Sequence, residues 1–456
     1  MKKLYLYMTL LLCNVALLNI LLSLDLAGVI WISLTCCFLA SIISDIFLLF
    51  RSKPINLAFL SFKFFYLILI LLEPSLSLMV HGEFSYVLQF GYYPRDAVNV
   101  VLLFHTIFAM LLILFDNHKH TQIGFIAPKI SIRNVLILFV FNAIGLYPYF
   151  RDGINGFILL ILQGRSIENS QFANSGLGNS DLYIHLSTVL IAVSCLYGYF
   201  LIAVKRRRTR TTIIFLLLFL LNVFIVASSG TRTRVLFILL PLSIFYIYTV
   251  VIGYRSFSAR LAVIGIVSAL LLFSAMVQFR TTGYSDLQTE GDIALDFSGI
   301  NLNNEFVYIV ENFPRPVNER NLLQCLIYPL PEQIWKFLIN PVPRIIYKEK
   351  YVDPSFAKFN QQRIGYTGQD ELFNITPTIF GRFYLLYGYV GLMYIPTFLI
   401  LPLLILNKRM SSGTLSTHSI LINTMMITFL CQSLRDLSPG WMYSTLISIF
   451  IVRLFD

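Results

Sequence analysis

The chain has 456 residues, of which 57% are apolar, 15% aromatic and only 12% charged, with 34 basic against 23 acidic groups for a net charge of +11. A soluble protein carries about twice that charged fraction, near 25%, and apolar runs of about 20 residues, long enough to cross a ~30 Å hydrocarbon core, recur from end to end. A soluble enzyme, a secreted disulfide scaffold and a disordered chain are excluded, which leaves a polytopic membrane protein of all-α class.

In chain order the apolar windows predict about twelve spans, at 4–24, 27–50, 56–80, 97–115, 134–150, 183–204, 212–228, 235–253, 261–279, 379–406, 419–434 and 441–455. The first follows Lys2-Lys3 and runs to Leu24. It exceeds the roughly 7–15 residues of a signal-peptide core and lacks a small-residue cleavage site, so it is expected to be a retained helix. With the N-terminus inside, Arg51, Lys53, Lys119, Lys129, Arg133, the run from Lys205 to Arg210, Arg255, Arg260, Lys408 and Arg409 all fall in alternate, cytoplasmic loops, as the excess of cations on that side requires. The C-terminus then also ends inside. The Lys205–Arg208 run directly follows a span, so it reads as a topology anchor on anionic lipid and not as a nucleic-acid patch. No nucleic-acid partner is expected.

Three segments follow: spans one to nine over 1–279, with a first outer loop at 151–182; a large outer loop at 280–378; and spans ten to twelve over 379–456. Prolines at 314, 316, 329, 331, 341 and 343 cut the large loop into apolar-periodic pieces, Glu305–Phe313, Asn321–Leu330 and Pro331–Leu338. Each reads as a short helix lying on the membrane surface. Among the cysteines, Cys13, Cys36, Cys37, Cys195 and Cys431 sit in apolar runs and Cys325 in a polar one, so neither a disulfide framework nor zinc spacing is present.

The outer side carries the chemistry. Arg95, Arg151, Arg165, Arg232, Arg234, Arg280, Arg315, Arg320, Arg344, Arg363, Arg382 and Arg435 all fall there. Topology gives no reason for them. A guanidinium fork grips phosphate and carboxylate oxygens in pairs. Arg232 and Arg234 occupy the turn Ser228-Ser229-Gly230-Thr231-Arg232-Thr233-Arg234. Arg280 ends span nine, Arg382 begins span ten, and Arg435 with Asp436 ends span eleven, all at one expected depth. Each alone is accounted for by snorkelling to headgroups; five at one level point to a shared anionic ligand. The 280–380 stretch is nevertheless net acidic, and with Tyr284, Phe306, Tyr308, Trp335, Tyr347, Tyr351 and Tyr366 it suits a sugar-binding surface. There is no P-loop and no Asp-x-Asp pair, so neither ATP-driven transport nor a metal-held nucleotide sugar is indicated. His105, Asn142 and Asn222, isolated in spans, read as inter-helix hydrogen-bond partners.

Four places in the sequence resemble the bacterial oligosaccharide repeat-unit polymerases, the Wzy-type O-antigen and capsule polymerases. They are Ser228–Arg232; Asn340-Pro341-Val342-Pro343-Arg344 with Lys348 and Lys350; Thr376-Pro377-Thr378 leading to Gly381-Arg382-Phe383-Tyr384 and Tyr387–Gly391; and Arg435-Asp436. Arg165 and Gly176 also fit an Arg-x10-Gly pattern, whereas Asn374 stands eleven after Arg363. The resemblance is carried mainly by residues 220–440. It implies a membrane glycosyltransferase of GT-C type in the bacterial inner membrane, working without metal or other cofactor. Its partners would be undecaprenyl-pyrophosphate-linked glycan as donor and acceptor, membrane lipid and, left open, a chain-length regulator. In that scheme Arg232, Arg234 and Arg344, then Arg280, Arg382 and Arg435, stabilise the departing pyrophosphate, while Arg363 and Arg165 position the glycan. Glu305, Asp370 and Glu371 are the candidates for the base. The alternatives are an O-antigen ligase delivering glycan to lipid A-core and a flippase for the lipid-linked unit.

Overall fold

The computed structural model describes residues 2–50, 55–116, 124–126, 132–150, 153–155, 158, 186–196, 198, 209–228, 232–251, 302–313, 359, 361–363, 378–410, 414–435 and 439–453. These are almost wholly helical. In chain order the helices are α1 (Lys2–Leu21), α2 (Ala27–Phe50), α3 (Leu57–His81), α4 (Ser85–Phe90), α5 (Arg95–Phe115), α6 (Ile132–Leu146), α7 (Leu186–Leu196), α8 (Thr209–Ser228), α9 (Arg232–Val251), α10 (Leu302–Asn312), α11 (Ile379–Tyr387), α12 (Tyr389–Met410), α13 (Thr417–Ser433) and α14 (Pro439–Arg453). Five of them, α1, α2, α3, α5 and α12, are long and apolar enough to cross a membrane. The strands β1 (Gly124–Ile126) and β2 (Thr414–Ser416) pair in parallel with Gly124 opposite Thr414, joining two connections that the threading puts on the same side.

Helix α3 widens to π geometry over Leu67–Leu71 just ahead of Pro74. A proline ring collides with the carbonyl four residues back, here that of Ile70, and an extra residue in the turn relieves the collision. The nearby Leu71 carbonyl accepts from Trp31 Nε1 at 3.1 Å, Thr35 Oγ1 at 3.2 Å and Ser75 Oγ at 3.0 Å. The irregular turn is thus what fastens α3 to α2.

The tenth predicted span, 379–406, is two helices and not one. Gly388 (φ 59°, ψ −143°) breaks it in a conformation open to glycine alone. The chain then doubles so tightly that a Cβ at Gly391 would stand 2.2 Å from the Phe383 carbonyl oxygen. Helix α11 is held at its start by Thr378, whose side chain accepts from Gly381 N at 3.0 Å. Its Phe380 enters a ring cluster with Tyr66, Phe104, His105, Phe108 and Phe306.

The two ends of the helix array differ. At the end that the threading puts inside, Lys63 bonds to Asp45 and, at 2.6 Å, to Asp116, while Lys2 caps the carbonyls of Leu114 and Asp116. Four helix ends meet there, two N-terminal and two C-terminal, as an alternating path requires. At the opposite end, Asn19 bonds to Asn99 at 2.8 Å and Arg95 to the Ser23 carbonyl.

Candidate active site

Helix α10 comes from the large loop that the sequence lays on the membrane surface. Instead it is buried at the end of the array away from Lys63, against α5, α11, α4 and the π turn of α3. Leu302, Asn303, Asn304, Glu305, Phe306, Val307, Ile309 and Val310 are all buried. A surface helix keeps one face for solvent. This one exposes only Glu311, with Tyr308 and Asn312 partly so, and each polar side chain on its first turn finds a partner inside. Its apolar side gains about 1.5–3 kcal/mol for each fully buried Phe, Val or Ile, with Phe306 set edge-on to Phe104 and His105.

Three consecutive polar residues dock into three places. Asn303 Oδ1 lies 3.2 Å from His105 Nε2, and His105 Nδ1 lies 2.7 Å from the Tyr66 hydroxyl. One neutral tautomer satisfies this chain: Tyr66 donates to Nδ1 and Nε2–H donates to Asn303. His105 is therefore the inter-helix partner expected from the sequence, and it also receives the loop helix. Asn304 donates to Gln89 Oε1 at 2.8 Å and accepts from Ser85 Oγ at 3.0 Å; that hydroxyl also lies 2.9 Å from Glu73 Oε2. Glu305 takes a two-point contact from Arg363, Nε to Oε2 and Nη2 to Oε1, both at 3.1 Å.

The Arg363 guanidinium lies over Phe90 at 4.5 Å and over Tyr308 at 5.3 Å, and those two rings stack on each other at 5.5 Å. Two of its five N–H groups serve Glu305; the other three have no acceptor among the described residues. A cation fixed by a carboxylate on one edge and by two rings beside it presents its remaining edge to a ligand oxygen. Burial raises the Glu305 carboxyl above the ordinary glutamate range, with Arg363 pulling back against that rise. The result is a carboxylate more basic than a free one, in a fixed orientation, with one lone pair left on each oxygen.

Of the residues singled out from the sequence, Glu305 and Arg363, fifty-eight positions apart, are brought together. Arg382 lies on the first turn of α11 and is partly buried. Arg435 follows α13, and because Ile379 N donates to Leu434 O at 3.4 Å, the start of α11 and the end of α13 adjoin. Arg232 opens α9, with Arg234 partly buried two residues on. Helix α9 packs along α13. Arg165, Arg280, Arg344, Asp370 and Glu371 lie outside the described residues, as do the loop pieces 321–330 and 331–338.

Sequence reasoning missed Asn303, Asn304, Ser85, Gln89, Glu73 and Phe90. The available signal was the run Asn303-Asn304-Glu305 heading an otherwise apolar helix. Three adjacent polar groups span most of a helical turn, and a helix that buries its remaining faces has to satisfy them inside.

Comparison with protein-family models, with curated proteins and with solved structures gives no match for this chain.

Proposed function

We propose that this chain is a membrane glycosyltransferase that polymerises undecaprenyl-pyrophosphate-linked repeat units at the outer face of a bacterial inner membrane. The observation that carries the reading is the Glu305–Arg363 pair, walled by Phe90 and Tyr308 and supplied by the outer loop to the mouth of an apolar helix array. Glycosyl transfer to a sugar hydroxyl needs a base within reach of that proton, and aromatic and guanidinium faces on which rings and hydroxyls rest.

In this scheme the acceptor hydroxyl oxygen bonds to the donor's anomeric carbon as the bond from that carbon to the pyrophosphate oxygen breaks. The proton passes to Glu305, and the electron pair leaves with the lipid pyrophosphate. Arg363 holds the Glu305 carboxylate and, through its free edge, the acceptor sugar. Arg232, Arg234, Arg280, Arg344, Arg382 and Arg435 are assigned to the departing charge, where one fixed donor is worth about 2.7–4 kcal/mol. Asp370 and Glu371 remain second candidates for the base.

The test is deletion followed by complementation, with surface glycan resolved on gels. Loss of the chain is expected to collapse the ladder to a single rung. Complete loss of surface glycan would instead support a flippase, and accumulation of unattached polymer a ligase. Glu305→Gln, which keeps the side chain's shape, is expected to reproduce the single rung at normal membrane abundance; an unchanged ladder removes Glu305 from the mechanism.

A further inference from the structure

Helix α1 sits at the edge of the array. It packs on α2 and α5, and its buried residues are Thr9, Ala16 and Asn19. On its other side Leu4, Tyr7, Leu11, Asn14, Leu18 and Leu21 run along the middle of a broader exposed face that also holds Met8, Leu10 and Leu17. Their numbers advance by three, four, three, four and three, the seam spacing of two helices wound together at about +20°.

The apolar members of this stripe are at home in lipid and decide nothing. Asn14 decides. It is exposed in the middle of the seam, twelve residues after Lys2 and seven before Leu21, so it lies about 10 Å inside the outer end of the helix at 1.5 Å per residue. Acyl chains offer its carboxamide neither donor nor acceptor. Exposed Ser243 on α9 avoids this problem by donating to the Leu239 carbonyl of its own helix, 3.0 Å away; a carboxamide can send one N–H to the carbonyl four residues back, as Asn312 does to Tyr308 at 2.9 Å, but its second N–H and its oxygen still lack partners in lipid. The same helix shows what an asparagine does when it is covered. Asn19, on the buried side, donates to the side-chain oxygen of Asn99 at 2.8 Å and accepts from Leu26 N at 3.0 Å.

We propose that α1 pairs along this seam with α1 of a second copy of the chain, Asn14 bonding to Asn14 of the partner subunit. The exposed Asn14 selects a second copy as the occupant for two reasons. A carboxamide is complementary to itself, its donor edge matching its own acceptor. All copies also insert in the same direction, so a twofold axis stands along the membrane normal and sets each residue against its counterpart at equal depth. The seam then meets itself in register over the whole helix, and its one polar group is satisfied with nothing else required.

The test uses the full chain with Cys13, Cys36 and Cys325 replaced by serine and Cys37, Cys195 and Cys431 by alanine, in two differently tagged copies co-expressed in native membranes. Single cysteines are placed on the seam (Tyr7→Cys, Leu11→Cys, Leu18→Cys) and off it (Leu6→Cys, Leu12→Cys, Val15→Cys), then oxidised with copper phenanthroline. Disulfides linking the two tags are expected at the seam positions and not at the others. In the Leu11→Cys chain, Asn14→Leu is expected to weaken association about three- to thirty-fold, and Asn14→Gln to preserve most of it. These side chains face outward, so membrane abundance is expected to stay normal and is measured alongside. The proposal is overturned by absence of links between the tags, by links lacking the three-four period, by capture of a different protein in their place, or by an Asn14→Leu chain that associates as before.

Discussion

Two charged clusters among the described residues, one at each end of the helix array, obey the same rule and serve different ends. Lys63, Asp45 and Asp116 all belong to the first four spans, and their side chains are 1%, 8% and 4% exposed. Lys63 holds both carboxylates together out of solvent, so the cluster works as a fastening. Glu305 and Arg363 both come from the large loop between the ninth and tenth predicted spans and keep 10% and 15% exposure. Their pair has two aromatic walls and three guanidinium N–H groups that meet no acceptor among the described residues. A buried ion pair by itself is weak evidence of either stability or function. The unspent donors and the residual access separate a site from a staple.

The largest expected effect breaks that contrast on the functional side. Glu305→Gln is expected to reduce repeat-unit polymerisation about 10²–10⁴-fold, the range for losing a general base, measured as transfer from lipid-linked units in membranes, while the melting transition in detergent moves little. The converse holds at the other end. Lys63→Leu leaves Asp45 and Asp116 facing each other in a buried place and is expected to cost about 3–5 kcal/mol of stability, read as lost thermal resistance and abundance. Adding Asp45→Asn and Asp116→Asn is expected to restore most of it. If Lys63→Leu instead spared stability and abolished transfer, the contrast would be reversed.

Between these lies the seating of α10. Asn303→Leu leaves the buried His105 N–H without an acceptor and is expected to cost about 1–3 kcal/mol, seen as faster proteolysis of the large loop with Lys63 and its partners undisturbed. The smallest effect is pH dependence. The Glu305 carboxyl is raised by burial, so it takes up a proton at a pH above that of an ordinary glutamate. Below that point the base is lost and transfer falls. The folded state binds this proton more tightly than the unfolded chain does, so stability gains from this group as pH falls through the same window. A rate profile that declines on the acid side while the melting temperature holds or rises is the expected signature; a parallel decline of both would make Glu305 a fastening like Lys63.

Some of this was legible in the chain and some was not, for reasons that particular residues make plain. The long helices α1, α2, α3 and α5 follow from apolar length alone, and their limits fall within a few residues of those read from hydropathy. The division of the tenth span at Gly388 does not follow. Glycine is common in membrane helices, and only the backbone conformation tells a packing glycine from a break. Glu305 and Arg363 stood out by type, one an acid and the other an arginine on the outer side, but nothing in their spacing pairs them. Asn303 and Asn304 were passed over because a polar first turn is the ordinary start of a surface helix, and only the apolar rest of α10 set this one apart.

Composition and periodicity by themselves determined that this chain lives in a bilayer, where the backbone has to satisfy its own hydrogen bonds and helices are the ready solution. Tertiary structure alone decided that a loop helix would be drawn into the array instead of resting on the membrane, and that a glutamate and an arginine far apart in sequence would close on each other. Buried polar groups choose partners by distance in space, and a one-dimensional pattern holds no record of that distance until the helices pack.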